Sequence, residues 1–176
     1  MRKSFQLKAL SLFAMALFVS ALSFAQPVGT KGPIPSPRDS VLSKLAGANV
    51  KIWYGSPATK GREVFGHLEP WGKVYRAGAN EATTFSTDKD IMVEGKKLPA
   101  GTYAFFVIPM EKGDWTVIFN KVAKQWGAFK YDESKDELRV MVKPKKVAHQ
   151  EKLKYVITKS GFAMIWDTTE VPVMVK

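Results

Sequence analysis

Two runs, Thr102 to Ile108 (TYAFFVI) and Trp115 to Phe119 (WTVIF), constrain the fold more than any other feature of the chain. Both are dense in aromatic and β-branched residues, which favour a pleated backbone. Each is too short for a stable helix and apolar but for one threonine, the pattern of a strand buried on both faces. Pro109 ends the first run, and the polar segment Met110 to Asp114 returns the chain to the second. An antiparallel pair of central strands is predicted, with other elements covering it.

From Asp39 onward the remaining punctuation agrees. Val41, Ser43 and Leu45 alternate with polar partners, as do Val50, Ile52 and Tyr54, on either side of Ala46-Gly47-Ala48-Asn49. That is a hairpin. Ile91 to Val93 and Leu98 flank a Glu94-Gly95 turn, and Leu138 to Val142 alternates until Pro144 closes it. Leu153 to Thr158 and Phe162 to Trp166 flank Ser160-Gly161, a short hairpin signal, and Val171, Val173 and Val175 form a last strand. No stretch sustains a helical period, so at most a turn or two is expected near Arg62 to Phe65 or Val122 to Trp126. About ten short strands predict one all-β domain, an antiparallel β-sandwich of jelly-roll-like type.

The first residues bear on location. Arg2, Lys3 and Lys8 precede the apolar run Ala9 to Phe24, and Ser23-Phe24-Ala25 offers small residues for cleavage. The run is shorter than a bilayer span requires. Residues 1–25 are therefore read as a cleaved signal peptide, 26–37 as a Pro/Gly-rich leader and 38–176 as the sandwich domain, exported to the periplasm or beyond. Loss of residues 1–25 lowers the formal charge from +11 to +8. There is no cysteine, so no disulfide forms, and stability must come from packing of the many aromatic residues. The cations are interleaved with acids and match no nucleic-acid motif, so weak attraction to anionic envelope polymers is the better account of the charge. No later segment is apolar enough to span a membrane, and oligomeric state is not legible.

Candidate chemistry concentrates in a few places. Metal is not expected: His67 and His149 lack partners at ligand spacing, and no calcium loop is present. No cofactor motif and no nucleophilic motif stands out, so the catalytic residues remain unknown. Lys60, Gly61 and Arg62 place two cations beside a permissive turn, and an Arg fork suits carboxylate, phosphate or sulfate. In "YRAGANEAT", Arg76, Asn80 and Glu81 surround residues too small to block close approach. Arg76 and Glu81 are expected to face each other across the turn, either as a structural corner or as one wall of a site. A buried Arg–Glu pair is a poor stabiliser by itself, so its placement asks for a second benefit, register or recognition. Among the aromatics Trp53, Trp71, Trp126 and Tyr131, Trp71 and Trp126 sit beside Gly and charge and are the expected exposed platforms for a sugar ring.

These residues carry a resemblance. Tyr54 with Pro57, Lys60-Gly61-Arg62, Phe65-Gly66 and Arg76-x-Gly78-Ala79-Asn80-Glu81-Ala82-Thr83 resemble the bacterial family catalogued as domain of unknown function 2911, DUF2911. The likeness continues through Pro99 to Tyr103, Ile108-Pro109, Trp115 to Val117, Phe119-Asn120, Trp126-Gly127, Tyr131 and Asp136 to Val140. It implies an exported protein of Bacteroidetes type and carries no activity, substrate or catalytic residue. Two positions depart from the family pattern. Tyr54-Gly55-Ser56-Pro57 stands where Tyr-Ser-Arg-Pro is usual, which removes a cation, and Tyr75 stands where Trp is common.

The expectation is therefore a binding module for an anionic or hydroxyl-rich ligand, such as a glycan or envelope component. Lys60, Arg62, Arg76, Asn80 and Glu81 would form the polar wall, with Trp71 or Trp126 as platform. One alternative is a carboxylate-dependent hydrolase using Glu81, for which Asp132 or Asp136 would supply the second acid. Another is a purely structural envelope protein.

Overall fold

In the computed structural model, residues 36–176 are described. The expected signal peptide and nearly all of the expected leader lie outside the described residues. Ten strands follow in order: β1 (Arg38–Leu45), β2 (Ala48–Gly55), β3 (Thr83–Thr87), β4 (Ile91–Val93), β5 (Lys96–Leu98), β6 (Gly101–Ile108), β7 (Trp115–Asn120), β8 (Asp136–Val142), β9 (Lys145–Thr158) and β10 (Gly161–Met174). The single helical element among the described residues is a 3-10 turn, Glu133–Lys135, started by the Asp132 carboxylate accepting from the Ser134 N–H. The segments 62–65 and 122–126 form loops instead.

Strands β1-β2-β3-β6-β7-β8 make one antiparallel sheet in that order. The two-residue loop Ala46-Gly47 joins β1 to β2, with φ of 52° and 77°. Two consecutive left-handed residues give the loop twist that matches right-handed strands. Because β4–β5 is a small side hairpin, the large sheet is a meander with one insertion. This order joins sequence neighbours and lends no support to the jelly-roll detail. The expected central pair forms: Phe105 faces Phe119, and Val107 faces Val117.

The remaining layer is the long hairpin of β9 and β10. Separate strands expected around Phe162–Trp166 and Val171–Val175 are one strand here. Register shifts around Asp167, whose φ is +53°, let it bend without losing its partner. The inward row of the sheet (Ile52, Phe85, Phe105, Phe119, Val140) meets Leu153, Tyr155, Phe162, Met164 and Trp166 of the hairpin, all buried. Phe85 packs 5.1 Å from Phe162 and 5.2 Å from Phe119, ring centre to centre. Such pairs add about 0.5–1.5 kcal/mol each beyond the area they bury.

The opposite face of the sheet is what positions the site. Register places Lys51, Ser86 and Thr102 side by side across β2, β3 and β6, and Trp53, Thr84 and Ala104 on the next rung. Further along the face, Ala82, Ala104, Phe106 and Ile118 form a second small core covered by Val74, Ile108, Ala128 and Tyr131. One end of this face is thus capped by the chain after β7, and the other end is left open.

Candidate functional site

The open end is a cavity of about 890 Å³. Its floor is the polar pair of rungs: Lys51, Ser86 and Thr102, then Trp53 and Thr84. Small hydroxyl side chains on β3 and β6 leave the hollow that larger residues would fill. The Ser86 and Thr102 hydroxyls are bonded to each other at 2.9 Å. One wall is Ala123, Lys124, Gln125 and Trp126, and Arg38 of the edge strand also lines the cavity.

Backbone pairing holds that wall in place. The Ala82 N–H donates to the Gln125 carbonyl at 2.9 Å, and the Gly127 N–H donates to the Asn80 carbonyl at 3.1 Å. Glu81 and Trp126 face each other as an isolated bridge. The base of the loop is fixed by side chains. Asn120 donates to the Asp132 carbonyl and to the Asp136 carboxylate, while the Tyr131 hydroxyl donates to Asp136 at 2.6 Å. Burial and then Asp136 push the Tyr131 phenol well above its ordinary range, so it stays a donor. Trp126, held by its backbone bridge to Glu81, lines the cavity and is 61 % exposed.

Glu81 is held by Arg38, not by Arg76. The Arg38 guanidinium also lies over the Trp53 ring, 5.2 Å from its centre, a cation–π placement that steadies the indole in the floor. Arg76 makes no ion pair within 4.0 Å among the described residues. Its charge instead acts on Glu69, whose carboxyl is pushed up to about 7 by burial, an effect Arg76 only partly offsets. The turn between Arg76 and Glu81 depends on close backbone approach. A Cβ on Gly55 would stand 2.2 Å from the Ala79 carbonyl oxygen, and one on Gly78 2.7 Å from the Thr83 hydroxyl. The Ala79 N–H donates to the Gly55 carbonyl at 3.1 Å.

The polar wall expected from the sequence is therefore divided. Glu81 and Trp126 line the cavity. Asn80 supports its wall through the backbone while its amide donates to the Ser36 carbonyl at 3.2 Å. Lys60 and Arg62 lie beside β9, where Ala58 bridges to Lys152. Arg62 donates to the Thr59 and Ala58 carbonyls and so closes its own loop. Trp71 packs against Phe65 and Trp115 and borders a separate shallow hollow. Asp132 and Asp136, candidate second acids, serve the loop base and do not line the cavity. Glu81 is the one carboxylate among the described residues that line it.

Sequence reading passed over Arg38, Lys51, Thr84, Ser86, Thr102, Lys124 and Gln125. A signal was present in "TTFST" (Thr83 to Thr87), where hydroxyls occupy the outward positions beside Trp53 of the neighbouring strand. Among the described residues, no group of three or more His, Asp or Glu is placed to hold a metal ion, and no helix is long and apolar enough to cross a membrane.

A family model described as "Protein of unknown function (DUF2911)" matches residues 36–175. No curated protein and no solved structure matches the chain.

Proposed function

Since the chain belongs to the DUF2911 family, whose description assigns no activity, we propose a function from the site itself: a glycan-binding module. The observation that carries it is the pairing, in one open cavity, of two tryptophans with a floor of hydroxyl side chains. A pyranose ring has an apolar face and a polar rim. Trp126 and Trp53 suit the first, and Thr84, Ser86, Thr102 and Gln125 suit the second, the division of labour common to small-molecule sites. Arg38 and Glu81 hold each other in place, and the half-exposed Arg38 guanidinium offers further N–H donors to a ligand. Exported by its expected signal peptide, the protein would meet such ligands at the cell envelope.

Hydrolysis is less well supported. Glycosidases set two carboxyl groups on opposite sides of one bond. Here Glu81 is ion-paired and no second acid joins it among the residues lining the cavity.

Titration of the protein with a panel of oligosaccharides, followed by tryptophan fluorescence and calorimetry, tests the proposal. Trp126→Ala is expected to weaken the bound member by about thirtyfold, the loss of an aromatic anchor costing on the order of 2 kcal/mol. Failure of every oligosaccharide to bind would refute glycan recognition and leave a structural role.

A further inference from the structure

The titratable groups lining the cavity are Arg38, Lys51, Lys124 and Glu81, three cations and one anion. Arg38 and Glu81 neutralise each other. Lys51 and Lys124 have no ion-pair partner within 4.0 Å among the described residues, and both are exposed. They approach the hollow from different directions. Lys51 rises from the floor on β2, next to Ser86 across the sheet. Lys124 stands in the wall formed by the loop after β7, two residues from Trp126. Two ammonium groups without an ion-pair partner among the described residues thus line the same cavity as the two tryptophans.

Resting on the glycan-binding reading, we propose that the ligand is an acidic polysaccharide segment, its carboxylate or sulfate groups received by Lys51 and Lys124 while its rings lie against Trp126 and Trp53. An ammonium is a compact point charge that accepts either anion without demanding a planar fork. A neutral sugar would leave both charges facing the hollow without gain. The ion pairs are solvent-exposed and individually weak, so discrimination is modest, roughly tenfold for the two together. It is also screened by salt, since the Debye length is only about 8 Å at physiological ionic strength and shorter above it.

The test is calorimetric titration of the protein with oligogalacturonate, a sulfated oligosaccharide of similar length and a neutral oligogalactan. Each is measured at low and high salt, with the wild type, Lys51→Gln/Lys124→Gln and Lys145→Gln/Lys146→Gln. Expected is about tenfold tighter binding of one or both acidic oligomers than of the neutral one at low salt. That preference should be lost in high salt and in Lys51→Gln/Lys124→Gln, and kept in Lys145→Gln/Lys146→Gln, whose lysines border the shallow hollow beside Trp71. The carboxylated and sulfated arms tell which anion is taken. Equal binding of neutral and acidic oligomers would overturn the acidic preference while leaving glycan recognition intact. An acidic preference that survives Lys51→Gln/Lys124→Gln would overturn it too, tracing the effect to the protein's overall charge. Binding of none of the three would overturn the acidic preference, while glycan recognition itself falls only if the wider oligosaccharide panel fails as well.

Discussion

Glu69→Gln separates two opposing electrostatic effects, burial of a carboxyl and its attraction to Arg76. Burial raises the Glu69 carboxyl from an ordinary 4.5 to about 7, and the Arg76 cation pulls it back only in part. The folded protein thus binds this proton more tightly than the unfolded chain. Below pH 4.5 both states are protonated and the group costs nothing. As pH rises from 4.5 to 7 the unfolded chain ionises first and stability falls, and above 7 the full penalty is present. Each pKa unit corresponds to 1.36 kcal/mol. A shift of this size, discounted for residual solvent contact, costs on the order of 2–3 kcal/mol at pH 8. Glutamine keeps the shape and removes the titration. Urea unfolding between pH 4 and 9 is expected to show the wild type losing stability across pH 4.5–7 relative to the variant. At pH 8 Glu69→Gln should be the more stable by about 2 kcal/mol, several degrees in Tm, with the two near parity at pH 4.5. A variant less stable than wild type at pH 8 would show that attraction to Arg76 outweighs burial, which refutes the reasoning.

Three further outcomes follow from the same structure. Gly55→Ala should cost more than about 3 kcal/mol in chemical denaturation, because the new methyl group meets a backbone oxygen with no flexible end to yield; a loss below about 1 kcal/mol would mean that β2 and the turn at Ala79 do not approach this closely. Phe85→Ala, at the centre of the aromatic core, should lose about 3–5 kcal/mol by the same assay. His149 is held between Asp167 at 3.1 Å and Glu151 at 3.3 Å, and the hydrogen bond to Asp167, then that to Glu151, raises its pKa. Its contribution to stability is complete below the unfolded histidine pKa and is lost as pH rises through the folded one. Its imidazole resonances should titrate above the ordinary histidine range and move down in Asp167→Asn; an unchanged midpoint would contradict the pairing.

The sandwich was legible because its signals are local. Alternation set the faces of β1, β2 and β8, and the two apolar runs around Met110 to Asp114 marked the centre. Strand lengths were harder. Asp167 to Glu170 is polar enough to look like a loop, yet bulges carry β10 through it, with Thr168 exposed and Asp167, Thr169 and Glu170 half-buried. The site was only half legible. Glu81 and Trp126 stand out by residue type, and they do line the cavity. The partner of Glu81 was misjudged because short sequence separation favoured Arg76, whereas Arg38 reaches it from the edge strand, 43 positions away. The hydroxyl floor escaped notice for a related reason. Thr84, Ser86 and Thr102 each look like ordinary strand residues, and only the register of three strands places them on one surface with Trp53.

Five tryptophans give a direct readout of the central claim. In a nitrogen-15 correlation spectrum of the protein titrated with an oligosaccharide, the indole N–H signals of Trp53 and Trp126 should shift, together with the amides of Thr84, Ser86 and Thr102. Those of Trp71, Trp115 and Trp166 should stay in place. Shifts gathered instead at Trp71 or at Lys60 and Arg62, with the two cavity indoles unmoved, would contradict the assignment of the outer sheet face as the binding surface.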